Sequence, residues 1–115
     1  MQYTKPFQKA EYDRRIAQTK QSMADKGFDL IICQDPANMN WLTAFDGWSF
    51  YTPQAVLLHL EEDAPIWFGR PQDAKAAHIT TDIPPENVTT FSETLIHHPT
   101  EHPYDDLATL IDQRG

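Results

Sequence analysis

Three short runs of almost unbroken apolar side chains limit what this chain can fold into. They are Phe28-Asp29-Leu30-Ile31-Ile32-Cys33, Ala55-Val56-Leu57-Leu58-His59-Leu60 and Pro65-Ile66-Trp67-Phe68-Gly69. Each has the length of a strand and is too short for a buried helix. The first of them, with almost no polar alternation, calls for cover on both faces. The second and third runs are separated by the charged turn Glu61-Glu62-Asp63, which suits an antiparallel hairpin and is too short for a crossover. The first run, being almost wholly apolar, predicts an interior strand.

Helical signals fall between these runs. Lys9 to Lys26 places Tyr12, Ile16 and Met23 with Ala17 and Ala24 on one narrow face, and Gly27 is positioned to end the helix. Glu11, Asp13, Arg14, Arg15, Lys20 and Asp25 then read as its solvated side. Asp35-Pro36 is a helix entry, a capping carboxylate followed by proline at the first position, predicting a short helix to about Leu42. Gln72 to Ala77 predicts a further helix, Val88 to Phe91 a short strand, and Ser92 to Pro103 an irregular stretch. Tyr104, Leu107, Leu110 and Ile111 form the stripe of a closing helix. The alternation predicts one α/β domain over 1–115 with a mixed sheet and flanking helices. The abrupt end after Asp112-Gln113-Arg114-Gly115 reads as a fragment of something longer.

Composition excludes several function classes. Seventeen acidic against nine basic residues give a net charge of −8, which repels phosphate backbones and anionic lipids, so neither nucleic acid nor a membrane is an expected partner. Signal-peptide and membrane-spanning runs are not seen, and the single cysteine cannot form an internal disulfide; together these fit a cytoplasmic setting. Cys33 closes an apolar run and reads as a buried, inert thiol.

Five of the 13 aromatic residues, Trp41, Phe45, Trp48, Phe50 and Tyr51, fall within eleven positions. From Pro36 to Leu60 the only formal charge is Asp46. Such a cluster is either core or a surface meant to be covered. Trp41, Leu42 and Phe45 suit the core side of the short helix and its exit. Trp48, Phe50 and Tyr51 suit a covered surface, and Trp48 to Tyr51 is a candidate strand.

A self-sufficient active site is not visible. His97, His98 and His102 lie in a proline-punctuated stretch without the spacing that aims two imidazoles at one ion, and no metal site is predicted. His59 and His78 are isolated and suit a strand end and a helix end. Ser22, Ser49, Ser92 and Cys33 lack a nucleophile elbow or a nameable base, and four scattered glycines make no phosphate loop. Arg70 stands where a strand hands over to a helix. It can form an internal salt bridge or hold a substrate carboxylate.

The set Glu11-Tyr12 with Arg15, Gly27-Phe28-Asp29, Pro36-Ala37-Asn38 leading into Trp41-Leu42-Thr43, and Arg70-x-x-Asp73 resembles the N-terminal domain of the creatinase and Xaa-Pro aminopeptidase family. The resemblance runs from about Lys5 to the last residue. It implies a small ribonuclease-H-like α/β domain, a separate C-terminal "pita-bread" catalytic domain absent from this chain, and a full-length hydrolase acting on C–N bonds. Catalytic residues, and the two metal ions of the aminopeptidases, would belong to that absent domain. No catalytic residue, metal or cofactor is therefore assigned here. The implied role is to contribute homodimer contacts and to cover the substrate pocket. The covering loop is Trp48 to Gln54 by position, with Trp48, Phe50, Tyr51 and Thr52 as candidate substrate-binding residues and Arg70 beside them. Creatinase places an arginine in that loop where Thr52 stands, which argues against creatine as substrate. The family's usual glycine after Leu-Thr is Ala44, strained if the backbone there needs positive φ. The competing reading is a stand-alone module that binds a small molecule or protein through the aromatic loop 45–54.

Overall fold

The computed structural model describes residues 7–47, 54–91 and 103–114. Helix α1 spans Lys9–Lys26 and buries Tyr12 and Met23. Gly27 ends it in the left-handed region (φ 76°), donating its N–H to the carbonyls of the last turn. Phe28 N–H returns to the Met23 carbonyl at 2.9 Å, completing a glycine-terminated helix stop. Strand β1 is Leu30–Cys33. Helix α2, Pro36–Thr43, starts where Asp35 accepts hydrogen bonds from the backbone N–H groups of Ala37 and Asn38.

Strands β2 (Ala55–His59) and β3 (Ile66–Gly69) form the antiparallel hairpin, pairing Ala55 with Phe68 and Leu57 with Ile66. Helix α3, Pro71–Thr80, then returns the chain to β4, Val88–Thr90, which lies parallel to β3. Helix α4 covers Pro103–Arg114. The sheet order is β1-β2-β3-β4, with only β2 running against the rest. His59 ends β2 and His78 sits in the last turn of α3.

Alternate strand residues feed two cores. Val56, Leu58 and Trp67 pack with Met23, Met39, Leu42, Phe45, Ala77 and Ile83, so α1, α2 and α3 all lie on one face. Ala55, Leu57, Ile66 and Phe68 pack with Phe91 and Leu107, and α4 is the helix of the other face. The predicted mixed-sheet α/β architecture is therefore present.

Four local expectations need correction. Strand β1 is at the edge of the described sheet, not its interior, and Ile32 is 42% exposed. Cys33 is half-buried, although the apolar environment still raises its thiol pKa above the usual range and keeps it inert. Trp41 is 44% exposed, because the Met39 and Leu42 side of α2 faces the sheet. Arg15, read as solvated, is buried at 9% exposure. Its guanidinium lies 4.7, 5.2 and 5.0 Å from the rings of Phe7, Tyr12 and Trp41. It donates to the Trp41 carbonyl at 2.8 Å and to Glu11 at 2.7 Å, which staples α1 to α2.

Candidate functional site

The exit of α2 is built on unusual backbone. Ala44 has φ 69°, the single non-glycine positive φ among the described residues. Left-handed backbone costs an L-residue roughly 1–2 kcal/mol. Its surroundings hold it there. Ala44 N–H donates to the Asn40 carbonyl at 2.8 Å, the Asn40 side-chain amide donates to the Phe45 carbonyl, and Phe45 N–H donates to Thr43 Oγ1. Asp46 N–H then donates to Thr80 Oγ1 at the end of α3. The conditional strain read from Leu-Thr-Ala is thus realised.

Beyond this exit, Pro36, Ala37, Asn40, Phe45, Asp46, Gly47 and Gln54 line an open cavity of about 290 Å³. Gly47 and Gln54 bracket the 48–53 segment in sequence, and both stand on this one cavity. Trp48, Phe50, Tyr51 and Thr52, the candidate substrate-binding residues, lie outside the described residues, as does the strand predicted over Trp48 to Tyr51. His97, His98 and His102 lie outside them too. Among the described residues no group of three or more His, Cys, Asp or Glu converges as a metal site.

Phe45, one of the lining residues, packs on the fully buried Trp67 with 5.6 Å between ring centroids. Its indole folds back over Gly69. A Cβ at position 69 would stand 2.6 Å from Trp67 Cη2 and 3.3 Å from Gln54 Cβ, so a glycine is required there by close approach. Among the described residues the buried Trp67 indole N–H has no hydrogen-bond partner. Sequence reasoning missed this residue as a neighbour of the site, since an aromatic in an apolar run reads only as core.

Arg70 follows immediately, at the junction of β3 and α3. Its Nε lies 3.3 Å from Asp73 Oδ2, with side-chain exposures of 15% and 11%. Of the sequence candidates, Arg70 is the one the described residues include, and it carries an internal ion pair. Several other described charges and hydroxyls are engaged within the fold. Thr80 and Thr81 donate to the carbonyls of Ala76 and Ala77, and Glu11 is held by Arg14 and Arg15, which lower its pKa to about 2.

A four-stranded mixed sheet with helices on both faces defines the class of this domain as α/β. The particular family follows from comparison: residues 15–115 match the Creatinase/Prolidase N-terminal domain, and the chain belongs to that family. Within it, the string from Asp35 to Tyr51 followed by Trp67-Phe68-Gly69-Arg70 resembles ectoine hydrolase. The chain is 42% identical over its full length to the ectoine hydrolase of Halomonas elongata, of which it spans 29%. It is 38% identical to an uncharacterized hydrolase/peptidase of Sinorhizobium fredii over 91% of this chain and 27% of that protein. The chain thus spans less than a third of these curated relatives. A proline dipeptidase from Streptococcus pneumoniae shares the fold at a TM-score of 0.67 and 17% identity, covering 84% of this chain and 64% of that one. The creatinase/prolidase N-terminal domain of an X-Pro dipeptidase from Streptococcus pyogenes superposes at 0.64 and 19% identity, covering 85% and 67%.

Proposed function

We propose that this chain is the non-catalytic N-terminal domain of a creatinase-like hydrolase whose full-length form cleaves a C–N bond of ectoine. The observation that carries this reading is 42% identity, end to end, with an ectoine hydrolase of which the chain spans under a third. In this reading the domain contributes homodimer contacts and part of the cover of a substrate pocket in the cytoplasm. Any metal ions belong to the catalytic part. Among the described residues no helix is long and apolar enough to cross a membrane.

The loop between Gly47 and Gln54 is the proposed cover, with Trp48, Phe50, Tyr51 and Thr52 meeting substrate. The rigid exit of α2 and the close Trp67–Gly69 packing support it as a fixed base. Arg70, paired with Asp73 where β3 hands over to α3, is the remaining candidate substrate contact.

The test is ectoine hydrolysis by residues 1–115 alone and by the longer polypeptide encoded with them. Activity in the short chain overturns the non-catalytic role. In the longer enzyme, Trp48→Ala or Tyr51→Ala raises KM about tenfold, equivalent to ~1.4 kcal/mol of lost binding. An unchanged KM with a lowered Tm overturns the covering role. A reading frame that stops soon after Gly115 favours the stand-alone binding module instead.

A further inference from the structure

We propose that a second cavity, walled by α1, the last turn of α2 and two loops, binds a small organic cation: an ammonium group carried on a compact apolar body. The site is independent of the ectoine reading, since its lining shares no described residue with the cavity at the α2 exit.

The cavity holds about 280 Å³. Small-molecule sites begin near roughly 300 Å³, so this one suits a compact ligand. Its floor is apolar: Tyr12, Leu42 and Ile83 are core residues that also line it, with the partly buried Ile16 beside them. On α1, Lys9, Tyr12, Asp13 and Ile16 follow the i, i+3, i+4, i+7 spacing, so they share one helix face, and all four line the cavity.

The rest of the wall comes from two short loops of matching sequence, Asp63-Ala64-Pro65 before β3 and Asp82-Ile83-Pro84 before β4. Each reads aspartate, an apolar residue, proline, and the proline ring fixes φ in both. Asn87 ties the two loops together. Its side-chain amide donates to the Pro65 carbonyl at 3.2 Å, and its backbone N–H donates to the Pro84 carbonyl at 2.8 Å. Ile83 N–H donates to Thr81 Oγ1, which holds the second loop against the end of α3. The walls are thus held by the fold itself, and a ligand has little chain left to order.

Charge selects the ligand. Among the described lining residues one ammonium, Lys9, stands against three carboxylates, Asp13, Asp63 and Asp82. Lys9 Nζ donates to both Asp13 oxygens, at 3.1 and 2.9 Å. Its pKa is raised above the ordinary range, chiefly by that hydrogen bond, and the charge of Asp82 acts in the same direction. One positive group against three negative ones leaves the rim with a net charge of −2. An anion is repelled there, and a neutral apolar molecule leaves the like charges facing one another. A cation relieves them. Asp63 and Asp82 are exposed, so the cationic head can stay partly hydrated at the mouth while its apolar body covers the floor.

The probe is benzylamine, which joins an ammonium to a small ring, and benzyl alcohol is its neutral match. Each is titrated into the 115-residue chain and into the longer polypeptide, with NMR shifts of the Ile16, Leu42 and Ile83 methyl groups as the readout. Benzylamine should move these methyls with a Kd on the order of 1 mM, and benzyl alcohol should bind at least about tenfold more weakly. Asp63→Asn and Asp82→Asn should each weaken benzylamine about threefold, and together about tenfold. Equal binding of the two probes overturns the proposal, and that comparison needs no variant. Unmoved methyl groups, or full affinity in the double variant, overturn it too. Binding to the short chain but not to the longer protein assigns the cavity to a basic side chain of that polypeptide and overturns it as well. Hydrolysis plays no part in the readout, so failure here is distinct from failure of the proposed function.

Discussion

On one face of the sheet, α1, α2 and α3 close over Val56, Leu58 and Trp67, each 0% exposed. On the other, α4 covers Ala55, Leu57, Ile66 and Phe68, while Tyr104, Leu110 and Ile111 remain only partly buried. A cavity of about 110 Å³ lies between α4 and the β1–β2 end of that second face. The first face also has tertiary ties beyond apolar contact. Arg15 joins two helices through three rings and a carbonyl, and Thr80 joins α3 to the exit of α2. The comparison teaches that, among the described residues, the first face is the more tightly tied and also carries the proposed substrate rim, while the second is thinner.

Trp67→Ala is the strongest way to break this comparison. It removes the largest fully buried side chain of the first face and should cost about 4 kcal/mol in denaturant unfolding. Leu107→Ala on α4 should cost about 2.5 kcal/mol, because its thinner surroundings relax more readily. Equal losses for the two would refute the inequality of the faces. Arg15→Met keeps the stem among Phe7, Tyr12 and Trp41 but removes the charge-assisted bonds, and should cost about 2 kcal/mol. Asp35→Ala leaves the Ala37 and Asn38 N–H groups without their cap and should cost about 1 kcal/mol.

The smallest effect is one of pH. Arg14 and Arg15 depress the Glu11 carboxyl from its ordinary 4.5 to about 2 in the folded chain. A depressed carboxylate stabilises the fold above its unfolded pKa and loses that contribution as pH falls through its folded pKa. Stability should therefore decline between pH 4.5 and about 2, and Glu11→Gln should flatten that part of the profile in thermal melts.

The sequence made most of the framework readable because its signals were local. Gly27 after an amphipathic run, Asp35-Pro36 before another, and a hairpin joined by a charged turn each correspond to an observed element. Arg15 was misplaced because its three ring partners include Trp41, 26 positions away, and helical periodicity reports only one helix at a time. Trp41 was misplaced for the same reason: its neighbour in the fold is a cation, not the core. The edge position of β1 could not be read from its composition, since apolar content records the need for cover and not who provides it. At the candidate site, Ala44 was legible from its place after Leu-Thr, whereas the tie from Asp46 to Thr80 depends on two distant segments meeting.

The closeness of Trp67 to Gly69 has a consequence for how this domain can diverge. Two residues two positions apart on one strand occupy a single volume, so neither can be read as an independent choice. A side chain at 69 is excluded while tryptophan stands at 67 and becomes admissible once 67 is smaller. Substitutions at the two positions should therefore be epistatic: Gly69→Ala is severe alone and much milder on a background of Trp67→Leu. Across related sequences the pair should change together, as one inherited unit beside the proposed substrate rim.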